Sequence, residues 1–164
     1  MRIAIGAIGL LKRGPEADLV EDYLHRARAL ARPLGLKGPD LAEGDPGKSL
    51  SGPARMDAEA DFLPRPVAPG DVVFMLDEHG SALTSRQLAD TLQRLLDDGT
   101  PQAWFLIGGA DGHGSAVRAL VQQRRARKIS FGPATWPHML VRAMLAEQLY
   151  RAVTIMTGHP YHRD

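Results

Sequence analysis

The stretch that decides the fold is residues 129–164, which read ISFGPATWPHMLVRAMLAEQLYRAVTIMTGHPYHRD. A short apolar run and a loop with glycine and proline come first, and apolar residues then recur at the spacing of one helical face. These residues are Val141, Met144, Leu145, Leu149, Ala152, Val153 and Met156. Pro137 suits the first helical position and Gly158 suits the residue after the last turn, so the pattern predicts a helix from Pro137 to about Thr157.

Strand-like and helix-like segments alternate upstream of this helix. Continuous apolar runs bounded by turn residues predict strands at Ile3–Ile5, Leu34–Leu36, Val72–Leu76, Ala103–Ile107 and Lys128–Phe131. Helical patterns cover Pro15–Ala31 (with Leu19, Tyr23, Ala27 and Leu30 on one face), Ala54–Leu63, a segment capped by Thr84 or Ser85 that ends before Gly99, and 115–125. Residues 37–53 are predicted to form a loop. The alternation predicts an α/β fold with a mostly parallel sheet covered on both faces.

Length and composition place the chain among ordinary globular proteins. Its 164 residues, 44% hydrophobic and 24% charged, predict one domain spanning 1–164. The absence of cysteine excludes disulfides and fits the cytosol. No apolar run approaches the roughly 20 residues of a membrane helix, and the first apolar segment is better explained as a strand than as a signal peptide.

Charge is unevenly distributed along the chain. Residues 1–112 carry 12 Lys and Arg against 17 Asp and Glu, whereas residues 113–164 carry 8 against 2. Sixteen of the 20 basic residues are Arg, which suits bidentate phosphate contacts. The asymmetry is compatible with a solvated basic face or with nucleic-acid binding.

Residues 42–49 (AEGDPGKS) imitate a phosphate-binding P-loop, and the run Val72–Glu78 imitates the acidic strand that would hold magnesium. A P-loop joins a strand to a helix whose N-terminus faces the phosphates. No strand is predicted before Ala42, and Ser51-Gly52-Pro53 interrupts any helix after Lys48. A nucleotide hydrolase or kinase therefore remains an alternative function for the protein. The default interpretation of residues 42–49 is a surface loop.

A glycine-rich run, Gly108-Gly109-x-x-Gly112-x-Gly114, follows one predicted buried strand. It is not the G-x-G-x-x-G of a nicotinamide site, and alone it would more often be a structural turn. Ligands of open α/β sheets bind at the carboxyl ends of the strands. Because Leu76, Gly108 and the loop 131–136 all lie at such ends, we expect them to form one pocket.

The remaining polar residues have ordinary explanations. His159 and His162 lie three apart beside a proline, and no carboxylate stands at ligand spacing, so no metal site is expected. Residues 161–163 could be a frayed tail, and Arg142 and Arg151 could be solvated charges on a helix face.

Three motifs together resemble the RlmH family of the SPOUT methyltransferase superfamily. They are Leu76-Asp77-Glu78-His79-Gly80, Ile107-Gly108-Gly109-Ala110-Asp111-Gly112, and PHxLVRxxLxEQxYRAxxI from Pro137 to Ile155 followed by HPYHR at 159–163. They keep the family's order, and the chain has the family's length. The resemblance implies methyl transfer from S-adenosylmethionine to N3 of a pseudouridine in 23S ribosomal RNA, on the assembled ribosome.

The same resemblance implies a SPOUT α/β fold with a C-terminal trefoil knot. It also implies a homodimer whose active site lies between protomers, with the final tail helping to close it. The positions that would bind S-adenosylmethionine are Leu76, Gly108, Phe131, Gly132, Pro133, Ala134, Thr135 and Trp136. At the last of these, relatives more often carry Leu or Phe. Residues 37–70 match the family poorly and receive no function.

Catalytic roles are also expected from the resemblance. N3 of pseudouridine must lose its proton, and the candidate bases are His162 and, through a water, Tyr161 or a nearby carboxylate. His162 is favoured because its ordinary pKa is near neutral. Arg163 and Arg142 are expected to bind RNA phosphates or to balance developing charge. A further alternative is an RNA-binding module of the same fold without activity.

Overall fold

The computed structural model describes residues 1–46, 49–63, 67–109, 119 and 126–163. Within these ranges it contains the strands β1 Arg2–Ile8, β2 Lys37–Gly44, β3 Val72–Ala82, β4 Gln102–Ile107 and β5 Ala126–Ser130. The helices are α1 Pro15–Ala31, α2 Gly52–Phe62, α3 Ser85–Asp97 and α4 His138–Met156. Except for residue 119, the helix predicted for 115–125 lies outside the described residues. No helix in the described ranges has the length and apolar content needed to cross a membrane.

The five strands form one sheet in the order β2-β1-β4-β3-β5, and every neighbouring pair is parallel. One face packs against α1, α3 and α4, with Phe74 and Phe105 stacked 4.8 Å apart between ring centroids. The opposite face carries a smaller apolar cluster that includes Trp104 and Leu63. The predicted α/β fold with a mostly parallel sheet is therefore confirmed. Because all strands run the same way, their carboxyl ends meet at one edge.

Strands β3 and β5 approach each other unusually closely near their carboxyl ends. Ile129 of β5 pairs first with Leu76 and then with Ser81 of β3, so the chain between them bulges out of the ladder. A Cβ added to Gly80 would lie 2.5 Å from the carbonyl carbon of Ile129. Only glycine permits this approach, which closes one side of the strand-end region.

The predicted loop over 37–53 is wrong for its first half, because residues 37–44 form β2, and no strand forms at Leu34–Leu36, where Leu34 ends a short 3-10 turn. The sequence of β2, KGPDLAEG, contains glycine, proline and aspartate, which are uncommon in strands. It is tolerated because β2 pairs on one side only, at the edge of the sheet. Sequence pattern could not show that edge position.

Helix α1 has the predicted bounds, and of its predicted face Ala27 is buried and Tyr23 and Leu30 pack against the core. Its fully buried residues are Val20, Leu24, Ala27 and Ala31, whereas Leu19 is 44% exposed. The two sets lie side by side on a helix, so packing against α4 and β2 decides between them. Helix α3 confirms its prediction in detail, since Thr84 and Gln87 form a capping box.

Helix α4 confirms the predicted C-terminal helix with a one-residue shift at each end. Pro137 is the N-cap rather than the first helical residue. Gly158, with φ of 67°, follows the C-cap as expected. The helix is buried on most sides, which explains why its apolar positions exceed a single stripe.

Candidate functional site

One cavity of about 1070 Å³ opens beside the carboxyl-terminal part of the sheet. It is lined by the bulge of β3 that begins at Leu76, by the turns after β4 at Ile107 and β5 at Ser130, and by the first turns of α4. The described lining combines apolar side chains with glycine backbone and a few polar groups. It consists of Leu76, Asp77, Glu78, His79, Ile107, Gly108, Gly109, Lys128, Ile129, Ser130, Phe131, Gly132, Ala134, Thr135, Trp136, Pro137, His138 and Val141.

The residues that the resemblance assigns to the cofactor are gathered at this cavity with one exception. Leu76, Gly108 and five residues of the 131–136 loop line it, whereas Pro133 is absent from the described lining. The predicted end of a strand at Leu76 is wrong, because β3 continues to Ala82 after a bulge, but that bulge and the turns after β4 and β5 do meet. Gly112 and Gly114 lie outside the described residues.

A second close contact at a glycine involves Gly109, which lines the cavity. A Cβ at Gly109 would lie 2.5 Å from Oε2 of Glu59 on α2. That carboxylate is buried and accepts a hydrogen bond from Arg55 through its other oxygen, at 2.7 Å. Oε2 itself has no hydrogen-bond partner in the described part of the chain. Gly109 thus contributes backbone to the cavity wall, and the Glu59 carboxylate occupies the space that a Cβ would take.

Hydrogen bonds of small side chains fix the loop that follows β5. The Ser130 hydroxyl accepts from the Gly132 N–H at 3.0 Å and lies 2.9 Å from the Gly132 carbonyl oxygen. The Thr135 hydroxyl donates to Glu78 on the facing turn at 3.3 Å. These contacts hold the loop against the β3 turn. Sequence reasoning missed Ser130, because a serine in a short strand carries no distinctive signal.

Trp136 presents an exposed aromatic surface at this cavity, with 42% of the residue accessible. The other tryptophan, Trp104, is buried and its indole N–H donates to Asp71 at 3.2 Å. The lining also contains an ion pair, since Lys128 and Asp77 lie 2.8 Å apart. The cavity thus offers a ligand the apolar indole of Trp136 and a charged pair of side chains.

His138 begins α4 and lines the cavity. Burial lowers the pKa of its imidazole below the ordinary value, and the charges of Arg142 and Arg55 lower it further, while Glu59 partly opposes them. The side chain is therefore neutral at pH 7. The sequence motif contained this histidine, but periodicity assigned it no role.

Arg142 does not occupy the position that the sequence suggested. Its side chain is fully buried, ion-paired with Glu43 of β2 and donating to the carbonyl oxygen of Ile8 in β1. Burial lowers the pKa of its guanidinium, and Glu43 opposes that shift. The expected contact between Arg142 and RNA phosphates is therefore wrong, as is the solvated alternative. Arg142 instead ties α4 to the carboxyl ends of β1 and β2.

The C-terminal tail lies away from the cavity of its own chain. Tyr161 donates to Glu147 at 3.0 Å, and His162 Nδ1 lies 3.5 Å from a guanidinium nitrogen of Arg151. Arg151 is 13 residues after His138 in α4, or about 20 Å along the helix axis. None of the described tail residues lines the cavity. A single chain therefore does not bring His162, Tyr161 or Arg163 to the cavity.

Tyr161 is also unsuited to act as a base where it lies. Burial raises the pKa of its phenol, and hydrogen bonds with Tyr23 and Glu147 raise it further. The phenol therefore keeps its proton at neutral pH and acts as a donor. His159 contributes to the turn before it, since its Nδ1 accepts from the Tyr161 N–H at 3.2 Å.

The P-loop alternative is weakened by the local structure. A strand, β2, does precede the imitation motif, contrary to the sequence expectation. Helix α2 begins only at Gly52, three residues after Ser49, so the motif does not lead into a helix N-terminus. Gly47 and Lys48 themselves lie outside the described residues.

Comparison with known proteins decides the family. The family described as "Predicted SPOUT methyltransferase" matches residues 1–162. A protein of Hyphomonas neptunium named "Ribosomal RNA large subunit methyltransferase H" is 50% identical over 163 residues, 99% of each chain. Proteins of the same name from Cereibacter sphaeroides and Rhodopseudomonas palustris are 49% and 45% identical, again over 99% of each chain. The chain belongs to the RlmH family of SPOUT methyltransferases.

Similarity to the RlmH family extends over the whole architecture described above. It covers the sheet, the strand-end cavity, α4 and the tail, rather than one motif. It also covers 37–70, the region whose sequence showed little family pattern. That region supplies the edge strand β2, the helix α2 and the Glu43 partner of Arg142.

Proposed function

We propose that this protein transfers a methyl group from S-adenosylmethionine to N3 of a pseudouridine in 23S ribosomal RNA on the assembled ribosome. The observation that carries the proposal is the cavity shared by the β3 bulge and the turns after β4 and β5. The relatives' name, which specifies methylation of large-subunit ribosomal RNA, supports the substrate class. Such a substrate implies action in the cytoplasm.

The residues at the cavity suit a bent sulfonium cofactor. Gly108 and Gly109 line the cavity and have no side chain that would keep a ligand from their backbone. Leu76, Phe131 and Trp136 supply apolar and aromatic surface for an adenine ring. When bound, S-adenosylmethionine would supply an electrophilic methyl group. The protein's part is to hold donor and acceptor in line.

The tail is proposed to serve the cavity of a second copy of the chain. About 20 Å of α4 separates Arg151, beside the tail, from His138 at the cavity. A homodimer with the active site between protomers would bring one tail to the other cavity. In that arrangement His162 accepts the N3 proton, while Arg163 binds RNA phosphate or balances charge.

A deletion strain provides the decisive experiment. Mass analysis of its 23S ribosomal RNA should show loss of one methyl group on a pseudouridine, which returns when the protein is restored. The same methyl group must appear when purified protein, ribosomes and isotope-labelled S-adenosylmethionine are mixed. Unchanged ribosomal RNA in the deletion strain would refute the proposal and favour a binding module without activity.

Calorimetry distinguishes the proposed methyltransferase function from the alternative of a nucleotide hydrolase. Titration with S-adenosylmethionine should release or absorb heat with one site per chain, and titration with ATP and magnesium should not. Binding only of ATP and magnesium would favour the P-loop reading of residues 42–49.

The assembly and the chain path are proposed from the family alone. A homodimer predicts twice the chain mass by sedimentation. A trefoil knot in the C-terminal segment predicts that the backbone of an experimental structure of the whole chain passes through a loop of itself. An untied path or a monomer active on ribosomes would contradict these two proposals.

A further inference from the structure

All three tyrosines of the sequence surround one arginine, Arg26 of α1. Its guanidinium carbon lies 4.3 Å from the ring centroid of Tyr150, 5.5 Å from that of Tyr161 and 5.6 Å from that of Tyr23. These distances fall within the range of cation–π attraction. We call these four residues the tyrosine cluster. It joins α1, α4 and the C-terminal tail.

Neighbouring groups hold Arg26 in place. One nitrogen donates to the carboxylate of Asp22 at 3.1 Å, and another donates to the Tyr150 hydroxyl at 2.9 Å. The hydrogen bond to Asp22 and then that to Tyr150 raise the pKa of the guanidinium, so it is always charged. Two anchored nitrogens fix the plane of the group. A fixed planar cation is a suitable surface for stacking.

Tyr161 is the only member of the tyrosine cluster that belongs to the tail. Its ring lies 4.6 Å from that of Tyr150 and 4.7 Å from the guanidinium carbon of Arg151, so cations from α1 and α4 both contact it. Its hydroxyl donates to Glu147, which also accepts from Arg151. The ring is thus held on several sides, and His162 follows it directly in the chain.

We propose that Arg26 is a positioning residue for the C-terminal tail, holding the Tyr161 ring so that His162 and Arg163 are presented in one orientation. This inference rests on the proposed function, since it concerns residues assigned to that reaction. Arg26 lies 135 positions before Tyr161 and belongs to none of the motifs that carry the family resemblance. It acts through the ring it stacks on and not by touching the reacting atoms.

Methyl transfer to ribosomes tests the inference through kcat and KM measured separately. Arg26→Gln should lower kcat about tenfold and leave KM for ribosomes nearly unchanged, because one stacking contact is lost. Arg26→Lys should restore little, since an ammonium keeps the charge but not the plane. Arg32→Gln, an exposed arginine just after α1, is the matched control and should behave as wild type.

A double-mutant cycle shows whether Arg26 acts through Tyr161. In a Tyr161→Ala background, Arg26→Gln should lower kcat less than twofold further, since the ring it would position is gone. A full tenfold further loss in that background would overturn the inference. So would a rise in KM with unchanged kcat that Arg26→Lys reverses, because that pattern indicates a direct phosphate contact.

Amide exchange provides a readout that does not depend on activity. Exchange of residues 157–163 should accelerate about tenfold in Arg26→Gln while β4 exchange stays as in wild type. Tail exchange equal to wild type would refute the positioning role. If wild-type protein methylates no ribosomes, the proposed function fails, whereas the exchange comparison still decides the role of Arg26.

Discussion

Arg142 of α4 and Glu43 of β2, 99 positions apart in the sequence, form an ion pair inside the protein. The arginine side chain is fully buried and the glutamate side chain is 20% exposed. Removing one member of a buried pair leaves the other charge uncompensated, which costs about 3–5 kcal/mol. Glu43 also accepts from the Leu11 N–H at 3.2 Å, so the pair anchors the turn after β1 as well.

Arg142→Met is therefore expected to lower the free energy of unfolding by about 3 kcal/mol, because the partly buried Glu43 carboxylate loses its cation. Denaturant unfolding measures the change. Arg2→Met is the matched control. It breaks an exposed ion pair with Asp40, which lies in β2 as Glu43 does, and it should cost under about 1 kcal/mol. Equal losses for the two variants would contradict the buried pair.

The second prediction concerns the tail. Deleting residues 161–164 should abolish methylation of ribosomes and leave the Kd for S-adenosylmethionine within about twofold, because the tail does not line the cavity of its own chain. Activity assays and calorimetry measure the two effects, and deletion of Asp164 alone is the control. Full turnover by the truncated protein would remove His162 from the mechanism.

The third prediction uses the close approach of β3 and β5. Gly80→Ala places a Cβ 2.5 Å from the backbone of Ile129, so the strands must separate. We expect a loss of about 1–3 kcal/mol in unfolding free energy together with weaker cofactor binding, since Ile129 lines the cavity. Ser81→Ala, at the next and exposed position, should change neither quantity. Wild-type stability in Gly80→Ala would show that β5 can move away.

The fourth prediction follows from the lowered pKa of His138. The folded protein favours the neutral imidazole, so protonation favours unfolding, and stability is lost as pH falls through about 6.5. The melting temperature of the wild type should fall further between pH 7.5 and pH 5.5 than that of His138→Asn, because the variant has no imidazole to protonate at this position. His25→Asn, on the exposed side of α1, is the control. A constant difference across this pH range would be inconsistent with the predicted protonation effect.

The fifth prediction concerns Trp136, the exposed tryptophan at the cavity. Binding of S-adenosylmethionine should change tryptophan emission, because a ligand at the cavity excludes water from this ring. Trp136→Phe should abolish the change and leave the emission of buried Trp104. A ligand-dependent change that survives in Trp136→Phe would place the ligand elsewhere.

Sequence pattern predicted the helices and strands that are determined by residues close together in the chain. The buried strands and α3 follow from continuous apolar runs and from the Thr84 cap, and the meeting of the strand-end turns follows from a parallel sheet. Strand β2 was missed because an edge strand tolerates Pro39.

Side-chain partners from distant parts of the chain could not be predicted. Arg142 looks like any helix arginine until β2 brings Glu43 beside it, and His138 acquires its lowered pKa only from burial and from charges on α2 and α4. Arg26 likewise carries no signal until the tail folds back onto Tyr150. Tertiary contacts between distant segments, rather than local pattern, set the environment of each of these residues.

Helix α4 connects the cavity to the tail, and this connection limits where residues can be inserted or deleted in proteins of this family. Each residue added to an α-helix turns everything beyond it by about 100° and moves it about 1.5 Å. One residue inserted between His138 and Glu147 would therefore rotate the α4 residues that contact Tyr161 away from Arg26. Natural insertions and deletions should therefore spare this helix.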